Sequence, residues 1–330
     1  MRDAAPTRRT VLRGALAAAV LTAPLTAGCT RHGGPDDGRA PDDSPAPDGS
    51  PTPDGRHTAG TGSVLAVKID NAAAARPQTG LDAADVVYAE QVEGGLSRLM
   101  AVYATRLPEV VGPVRSARES DLELLRQFDG PTLAFSGAQH KLLPLIDRAP
   151  LRPKTPDTAS AAFYRGGDKA APHNLYLRPA RLMSGPPGEA ALTTGFRYGP
   201  APAGGTVTAA RTVRYPAARF TFTWSAGRKR WLVSMDGAPT PTAAGRRLEP
   251  ATVVVQHVRV RTSAYHDVLG NYTPYTETVG TGKAEVLRDG RSFEATWTRR
   301  AAADGTTFTG ADGAPVDFAT GQVWVVFAAR

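Results

Sequence analysis

The sequence predicts an α+β protein: an N-terminal mixed α/β block followed by a mostly antiparallel β C-terminal block. Three observations carry this reading. Short apolar runs alternate with helix-like stretches between residues 63 and 184. Pro and Gly then crowd the chain at 184–187 and 200–205, which places a boundary within 185–212. Beyond it, apolar and polar residues alternate in short runs separated by Asp-Gly turn signals. The expected divisions are a signal peptide over 1–28, a disordered tether over 29–62, an α/β domain over 63–200 and a β domain over 205–330.

The first thirty residues read as an export address. Thr7-Arg8-Arg9-Thr10-Val11-Leu12-Arg13 has the twin-arginine form, and an apolar run over 11–25 follows. That run holds Arg13 and Pro24 and is too short for a permanent span. Small residues Thr26-Ala27-Gly28 then lead into Cys29, as in a bacterial lipobox. Export by the twin-arginine or the general route both fit this start. Cys29 is the only cysteine, so an intramolecular disulfide and a Cys-based zinc site are excluded. A lone thiol is out of place in an exported chain. Lipid modification at Cys29 explains it, and more than one acyl chain on that residue would anchor the protein stably. The expected location is extracytoplasmic, lipid-anchored to the cell membrane.

Residues 30–62 repeat Pro-Asp at 35–36, 41–42, 47–48 and 53–54 and offer almost no large apolar side chain. Such a stretch cannot bury enough surface to fold, and its prolines keep it extended. Three Arg against six Asp give it a charge of −3, and the part beyond it carries +8. That excess suits anionic surfaces such as wall polymers or lipid headgroups. The overall 41% hydrophobic content is too high for a wholly disordered chain of 330 residues.

The first block opens with a buried strand over 64–69 that ends in the polar turn Asp70-Asn71. Residues 86–90 and 99–105 predict two more strands, with a tight connection at Glu93-Gly94-Gly95. A helix is expected over 119–128, with Leu122, Leu124, Leu125 and Phe128 on one face and Gly130-Pro131 closing it. Another strand follows at 132–136, and a second short helix or turn at 140–147. In the second block, strands are expected at 219–224, 230–233, 252–261, 283–287, 292–298 and 322–327, forming a curved sheet or partial barrel. Asp236-Gly237, Asp289-Gly290, Asp304-Gly305 and Asp312-Gly313 mark turns.

Several motifs combine into a recognisable set. They are Val67-Lys68-Ile69-Asp70-Asn71, Ala75-Arg76-Pro77-Gln78, Ala84-Asp85-Val86-Val87-Tyr88, Val92-Glu93-Gly94-Gly95, Gly112-Pro113-Val114-Arg115-Ser116-Ala117-Arg118 and His173-Asn174-Leu175-Tyr176. With the C-terminal stretch 282–324, they make the chain resemble the YerB-like lipoprotein family, an envelope group of unknown function. The resemblance spans nearly everything after Ser63. It implies a two-part architecture with a smaller C-terminal β block, and it implies no activity.

The chemistry has to come from the residues. Arg115 and Arg118 lie three apart just before the expected helix at 119, where free N–H groups and the dipole favour anions. Arg98 follows the Gly94-Gly95 turn and could join them. Guanidiniums bind phosphate and carboxylate through paired N–H groups. Ligand-binding residues are therefore expected among Asp70, Glu93, Arg98, Arg115, Ser116, Arg118 and His173. The competing reading pairs these arginines with Asp85, Glu90, Glu93 or Asp121 and leaves them holding the fold.

A hydrolase is the alternative function: Asp70, Asp85, Glu90, Glu93 and Asp121 sit at strand ends or turns, and paired carboxylates serve acid–base work on wall polymer or a phosphoester. They could also hold a divalent cation through oxygen. Ser116 or Ser136 with His140 or His173 would suit a Ser–His arrangement, but no Gly-x-Ser-x-Gly elbow is present and His173 reads as a structural hydrogen bonder. A Walker loop and a zinc-protease His pair are both missing, so neither cofactor nor metal is expected. Tyr265, His266, Tyr272 and Tyr275 surround Gly270-Asn271 and suit a sugar face, a protein partner or a long β connection. Dispersed positive charge and the export address argue against nucleic acid. A protein-binding scaffold is the third reading.

Overall fold

The computed structural model describes residues 62–267 and 270–330. The expected signal peptide, Cys29 and the expected tether up to residue 61 lie outside the described residues. The first strands are β1 (Leu65–Asp70), β2 (Val86–Gln91), β3 (Ser97–Tyr103), β4 (Thr132–Ala134) and β5 (Arg152–Lys154). Two short helices accompany them, α1 (Glu119–Leu125) and α2 (Leu143–Arg148). β6 (Phe163–Arg165) and β7 (Leu175–Leu177) form a separate antiparallel pair.

After the Pro/Gly-rich stretch come β8 (Thr206–Val207), β9 (Ala210–Tyr215), β10 (Ala218–Ser225), β11 (Arg230–Met235) and β12 (Ala238–Pro239). They are followed by β13 (Thr252–Val258), β14 (Val260–His266), β15 (Tyr272–Thr276) and β16 (Gly280–Arg288). The chain ends with β17 (Arg291–Arg299), β18 (Thr307–Thr309) and β19 (Val323–Ala329). The class is α+β, β-rich towards the C-terminus, as the patterning predicts.

An eleven-stranded mixed sheet runs β18-β17-β16-β13-β19-β2-β3-β1-β4-β5, with β8 paired to β17. Strands from both sequence blocks share it: β19 lies parallel to both β13 and β2. The C-terminal strands thus divide between this sheet, the antiparallel sheet β12-β11-β10-β9 and the β14–β15 hairpin, and they do not close into a barrel. The expected strand 252–261 is two strands, broken at Arg259.

Strand periodicity sorts the core into two faces. Leu65, Val67, Ile69, Val87, Ala89 and Leu99 join one cluster with Phe220, Phe222, Trp231 and Trp324, so the four-stranded sheet covers that side. Tyr215 ties the layers together, its hydroxyl lying 3.0 Å from the Ala89 carbonyl and 2.8 Å from that of Phe327. Ala66, Tyr88, Met100 and Val102 face the other way, against Leu124, Leu125, Phe128 and Ile146. The same alternation sends Lys68, Asp70, Glu90 and Arg98 towards the α1 side. Asp70, Arg98 and Glu90 stand in register across β1, β3 and β2.

α1 begins at Glu119 as expected but stops at Leu125, short of Phe128. The last bonds are tighter three-residue turns, Arg126 N–H to Glu123 O at 3.3 Å and Phe128 N–H to Leu125 O at 3.0 Å. Arg299 of β17 takes the freed carbonyls of Glu123 and Leu124. No helix among the described residues is long and apolar enough to cross a membrane.

Candidate functional site

One cleft of about 500 Å3 gathers Asp70, Glu93, Arg98, Arg115, Ser116, Arg118 and His173, all seven residues expected at a ligand site. It lies where β1 and β3 meet the start of α1. Each side chain is delivered by a short, well-tied segment. Residues beyond Asp70 are pinned by Asn71, whose amide donates to Ser97 Oγ at 2.8 Å. Arg76 donates to the Asn71 carbonyl at 2.7 Å, and Gln78 to the Asn71 Oδ1 at 2.7 Å. The Ala75-Arg76-Pro77-Gln78 motif thus fixes the loop that holds Asp70.

Residues 111–115 run between β1 and β7. Asp70 N–H donates to Pro113 O at 2.9 Å, Arg115 N–H to Lys68 O at 2.8 Å and Val114 N–H to Leu175 O at 2.6 Å. This threading brings Arg115 and His173 to the end of β1, although they lie far apart in sequence. Glu93 is set by the turn before β3. Gly95 there has a φ of +69°, and a Cβ would stand 2.5 Å from the Pro216 Cβ, so only glycine fits.

The charges fall into two groups. Arg118 and Glu93 make a fork: Nε to Oε1 and Nη2 to Oε2, both 2.7 Å. Thr273 Oγ1 donates to Glu93 Oε1 at 2.5 Å. Burial alone would raise the Glu93 carboxyl, but the Arg118 fork, its charge and Thr273 outweigh it and hold it below the usual carboxylate range. In the second group, Asp70 Oδ2 meets His173 Nδ1 at 2.8 Å and lies 3.2 Å from Arg115 Nε. The Arg115 approach is an ion pair without hydrogen-bond geometry, and Arg115 Nε is a buried donor with no acceptor. Asp70 Oδ1 accepts from Ala72 N–H at 3.1 Å.

Arg98 stands apart. It donates to the Ser116 carbonyl at 3.2 Å and has no ion pair among the described residues. Burial, then the neighbouring Arg118 and Arg115 charges, push its pKa down to about 10 against the pull of Glu93 and Asp70. It remains protonated at neutral pH.

The structure redistributes the acidic residues. Glu90 and Asp121, expected as partners of the arginines or as catalytic carboxylates, lie beneath the cleft on Lys68, which is wholly buried. Asp85 is elsewhere, accepting from Ala104 N–H at 2.7 Å and Thr105 N–H at 3.0 Å. Only Asp70 and Glu93 of that set reach the cleft. α1 has seven residues and an acidic first turn with Glu119 and Asp121, and Asp121 Oδ2 already accepts Arg118 N–H at 2.6 Å. Its dipole is therefore no anion site, and attraction for anions rests on the guanidiniums. His140 does not line the cleft. Ser116 Oγ does, 3.4 Å from Ser136 Oγ.

One wall was not foreseen. Tyr265, His266, Asp267 and Thr273 of the β14–β15 hairpin line the cleft, as do Leu96, Glu119, Gln139 and Leu142. Glu119 accepts from Ser263 Oγ at 2.5 Å, which anchors that hairpin to α1. The aromatic cluster at 265–275 was the one available signal for this wall.

The architecture is an α+β fold in which strands from both sequence blocks share one sheet. Residues 51–191 match the N-terminal domain, and residues 211–325 the C-terminal domain, of the family described as protein of unknown function (DUF3048). The chain belongs to this family, the YerB-like group that its motifs resemble. It is 35% identical over 112 residues to the Bacillus subtilis (strain 168) protein named "Putative lipoprotein YerB". That alignment spans 34% of this chain and 34% of the relative's length. The crystal structure of the YerB protein from Bacillus subtilis has the same fold, with a TM-score of 0.66 over 80% of this chain and 90% of that one at 21% identity.

Proposed function

We propose that this protein is an envelope-anchored lipoprotein that binds an anionic or polar ligand in the Arg98–Arg115 cleft. The ligand class comprises wall fragments, lipid headgroups and phosphorylated small molecules. The observation that carries the reading is Arg98: a half-buried guanidinium in a cleft, without a carboxylate partner among the described residues. Proteins seldom leave such a charge uncompensated without use for it. The cleft volume of about 500 Å3 lies within the range of small-molecule sites. The hydrolase reading needs uncommitted carboxylates, and the two of its five candidates that reach the cleft are engaged, Glu93 by Arg118 and Asp70 by His173. That favours binding over turnover. A pure scaffold role gives no reason for Arg98.

The test is a thermal-shift screen of phosphates, sugar acids and wall fragments on wild type and Arg98→Gln. An anion should raise the wild-type melting temperature and do so much less in the variant. Loss of one charge-assisted hydrogen bond costs about 1.5–3 kcal/mol, a ten- to hundredfold weaker Kd. Arg115→Lys should bind more weakly than wild type as well, because an ammonium cannot copy the planar fork. A folded wild type that responds to no anion would remove this reading.

Anchoring is proposed at Cys29. It is supported by the lipobox-like sequence before it, the absence of any other cysteine and the relative's name. Cys29→Ala should move the protein from the membrane fraction to the soluble fraction with its melting temperature unchanged. A variant still membrane-bound after salt washing would mean that Cys29 is not the anchor.

A further inference from the structure

We infer that the outer face of the β9–β12 sheet is a second binding surface, separate from the cleft, and that it takes a linear phosphate polymer. Alternation along the strands gives this sheet two unlike faces. Val213, Tyr215, Phe220, Phe222, Trp231 and Val233 join the core. Thr212, Arg214, Arg219, Thr221, Thr223 and Ser234 alternate with them and are half-buried or exposed.

The charge on this sheet is one-sided. Residues 206–250 carry eight Arg and Lys against two acids, Asp236 and Glu249. The carboxylates around it do not restore the balance. Glu285 pairs with Arg211 at 2.5 Å, Glu249 with Arg228 at 3.0 Å and Asp82 with Arg246 at 2.9 Å. Asp236 pairs with Arg76 at 2.8 Å and accepts the main-chain N–H of Arg219. Glu294 stands in register with Glu285 on the large sheet beneath. Glu93, behind the Pro216-Ala217 turn, is held by Arg118, Asp168 by Lys169 and Asp289 by Arg288. Arg214, Arg219, Lys229, Arg230 and Arg247 are left in no ion pair among the described residues. Two of them repel each other: Arg214 and Arg219 stand directly opposite across β9 and β10, where like charges are destabilising. A phosphate between the two guanidiniums would accept from both and relieve the repulsion.

The spacing points to a chain of phosphates. Lys229 and Arg230 lie at the opposite end of the sheet, with Arg230 paired to Ser225. From Arg219 to Ser225 the strand advances about 20 Å. Between the ends run the hydroxyls of Thr212, Thr221, Thr223 and Ser234, and Arg247 reaches the same face, donating to Ser234 Oγ at 3.4 Å. Hydroxyls and guanidiniums both donate to phosphate oxygens. The one large apolar side chain among the outward residues of β9–β11, Leu232, is half-buried. A bilayer would therefore gain no apolar insertion from this face, which favours a hydrated polymer.

The test titrates the full chain with long-chain inorganic polyphosphate. Arg214→Gln with Arg219→Gln should bind it about tenfold more weakly than wild type, and so should Lys229→Gln with Arg230→Gln at the other end. Arg126→Gln with Arg148→Gln removes the same charge from two exposed residues on the helical side of the large sheet and should change the affinity by less than about twofold. Arg98→Gln should leave polyphosphate binding unchanged, which separates this surface from the cleft. Equal losses in all three pairs would mean diffuse attraction by net charge and would overturn the inference. A loss at one end only, with both pairs folded, would reduce the surface to a single-anion site and overturn the polymer. Binding of wild type to phosphatidylglycerol vesicles but not to polyphosphate would give the face to a membrane instead. No polyphosphate binding by folded wild type would remove the surface altogether. Where one face pair fails to fold, the other still decides against the helical-side control.

Discussion

Lys68→Met should lower the free energy of unfolding by about 3–5 kcal/mol, measured by urea titration at pH 7. Lys68 is wholly buried, and its ammonium donates to Glu90 Oε1 and, at 2.6 Å, to Asp121 Oδ1. Ser120 Oγ donates to the other Glu90 oxygen at 3.0 Å. One cation thus serves two buried carboxyls, and burial raises the Glu90 pKa. Methionine keeps the volume and removes the charge, which leaves the two acids facing each other without water.

The pH dependence has a definite sign. A carboxyl whose folded pKa lies above its unfolded value favours folding below the unfolded value and loses that contribution as pH rises through the folded one. Without Lys68 this applies more strongly to Glu90, so the variant should regain part of its deficit as pH falls from 7 towards 5. Glu90→Gln in the Lys68→Met background should restore part of it at pH 7. A variant within about 1 kcal/mol of wild type would show that the ammonium does not hold this cluster together.

Arg299→Met should cost about 3 kcal/mol and weaken the proposed ligand binding at the far end of α1. Arg299 is 1% exposed and uses its whole fork. Nε donates to Asp304 O at 3.0 Å, Nη1 to Thr278 Oγ1 at 2.9 Å and Nη2 to Ala302 O at 2.5 Å. Nη2 also donates to Glu123 O at 2.9 Å and Leu124 O at 3.3 Å, the carbonyls that α1 leaves open at its end. Each buried acceptor left without a donor costs about 1–3 kcal/mol, and local relaxation recovers part. Lysine should not rescue it, since a single ammonium cannot reach carbonyls in three directions. Arg118 precedes the first turn of the same helix, so a loosened α1 should also disturb the Arg118–Glu93 fork. Equal stability of Arg299→Met and wild type would mean that these carbonyls find water instead.

Much of this was legible locally. The run at 64–69 reads as a strand because its residues are apolar on both faces, and β1 is buried throughout. Asp236-Gly237 and Asp289-Gly290 read as turns because their glycines take positive φ, +88° and +74°. The convergence of Arg98, Arg115 and Arg118 was also accessible: two are three residues apart, and the third follows a glycine turn beside them. The hairpin wall was not. Thr273 meets Glu93 across 180 residues. No spacing rule reaches that far.

The sequence by itself determined the α+β class, most strand positions, the three arginines that line one cleft and the single cysteine that follows an apolar run. These depend on patterns a few residues long, where backbone geometry dictates which side chains share a face. Tertiary structure decided which strands became neighbours and which charges became partners. β19 sits between β13 and β2, joining the two ends of the chain in one sheet. Lys68 took Glu90 and Asp121 away from the arginines, Glu93 took Arg118, and Asp70 took His173. Arg98 was left with a carbonyl and open space. A charge's partner is set by distance and desolvation in the folded chain, and neither is a property of neighbouring letters.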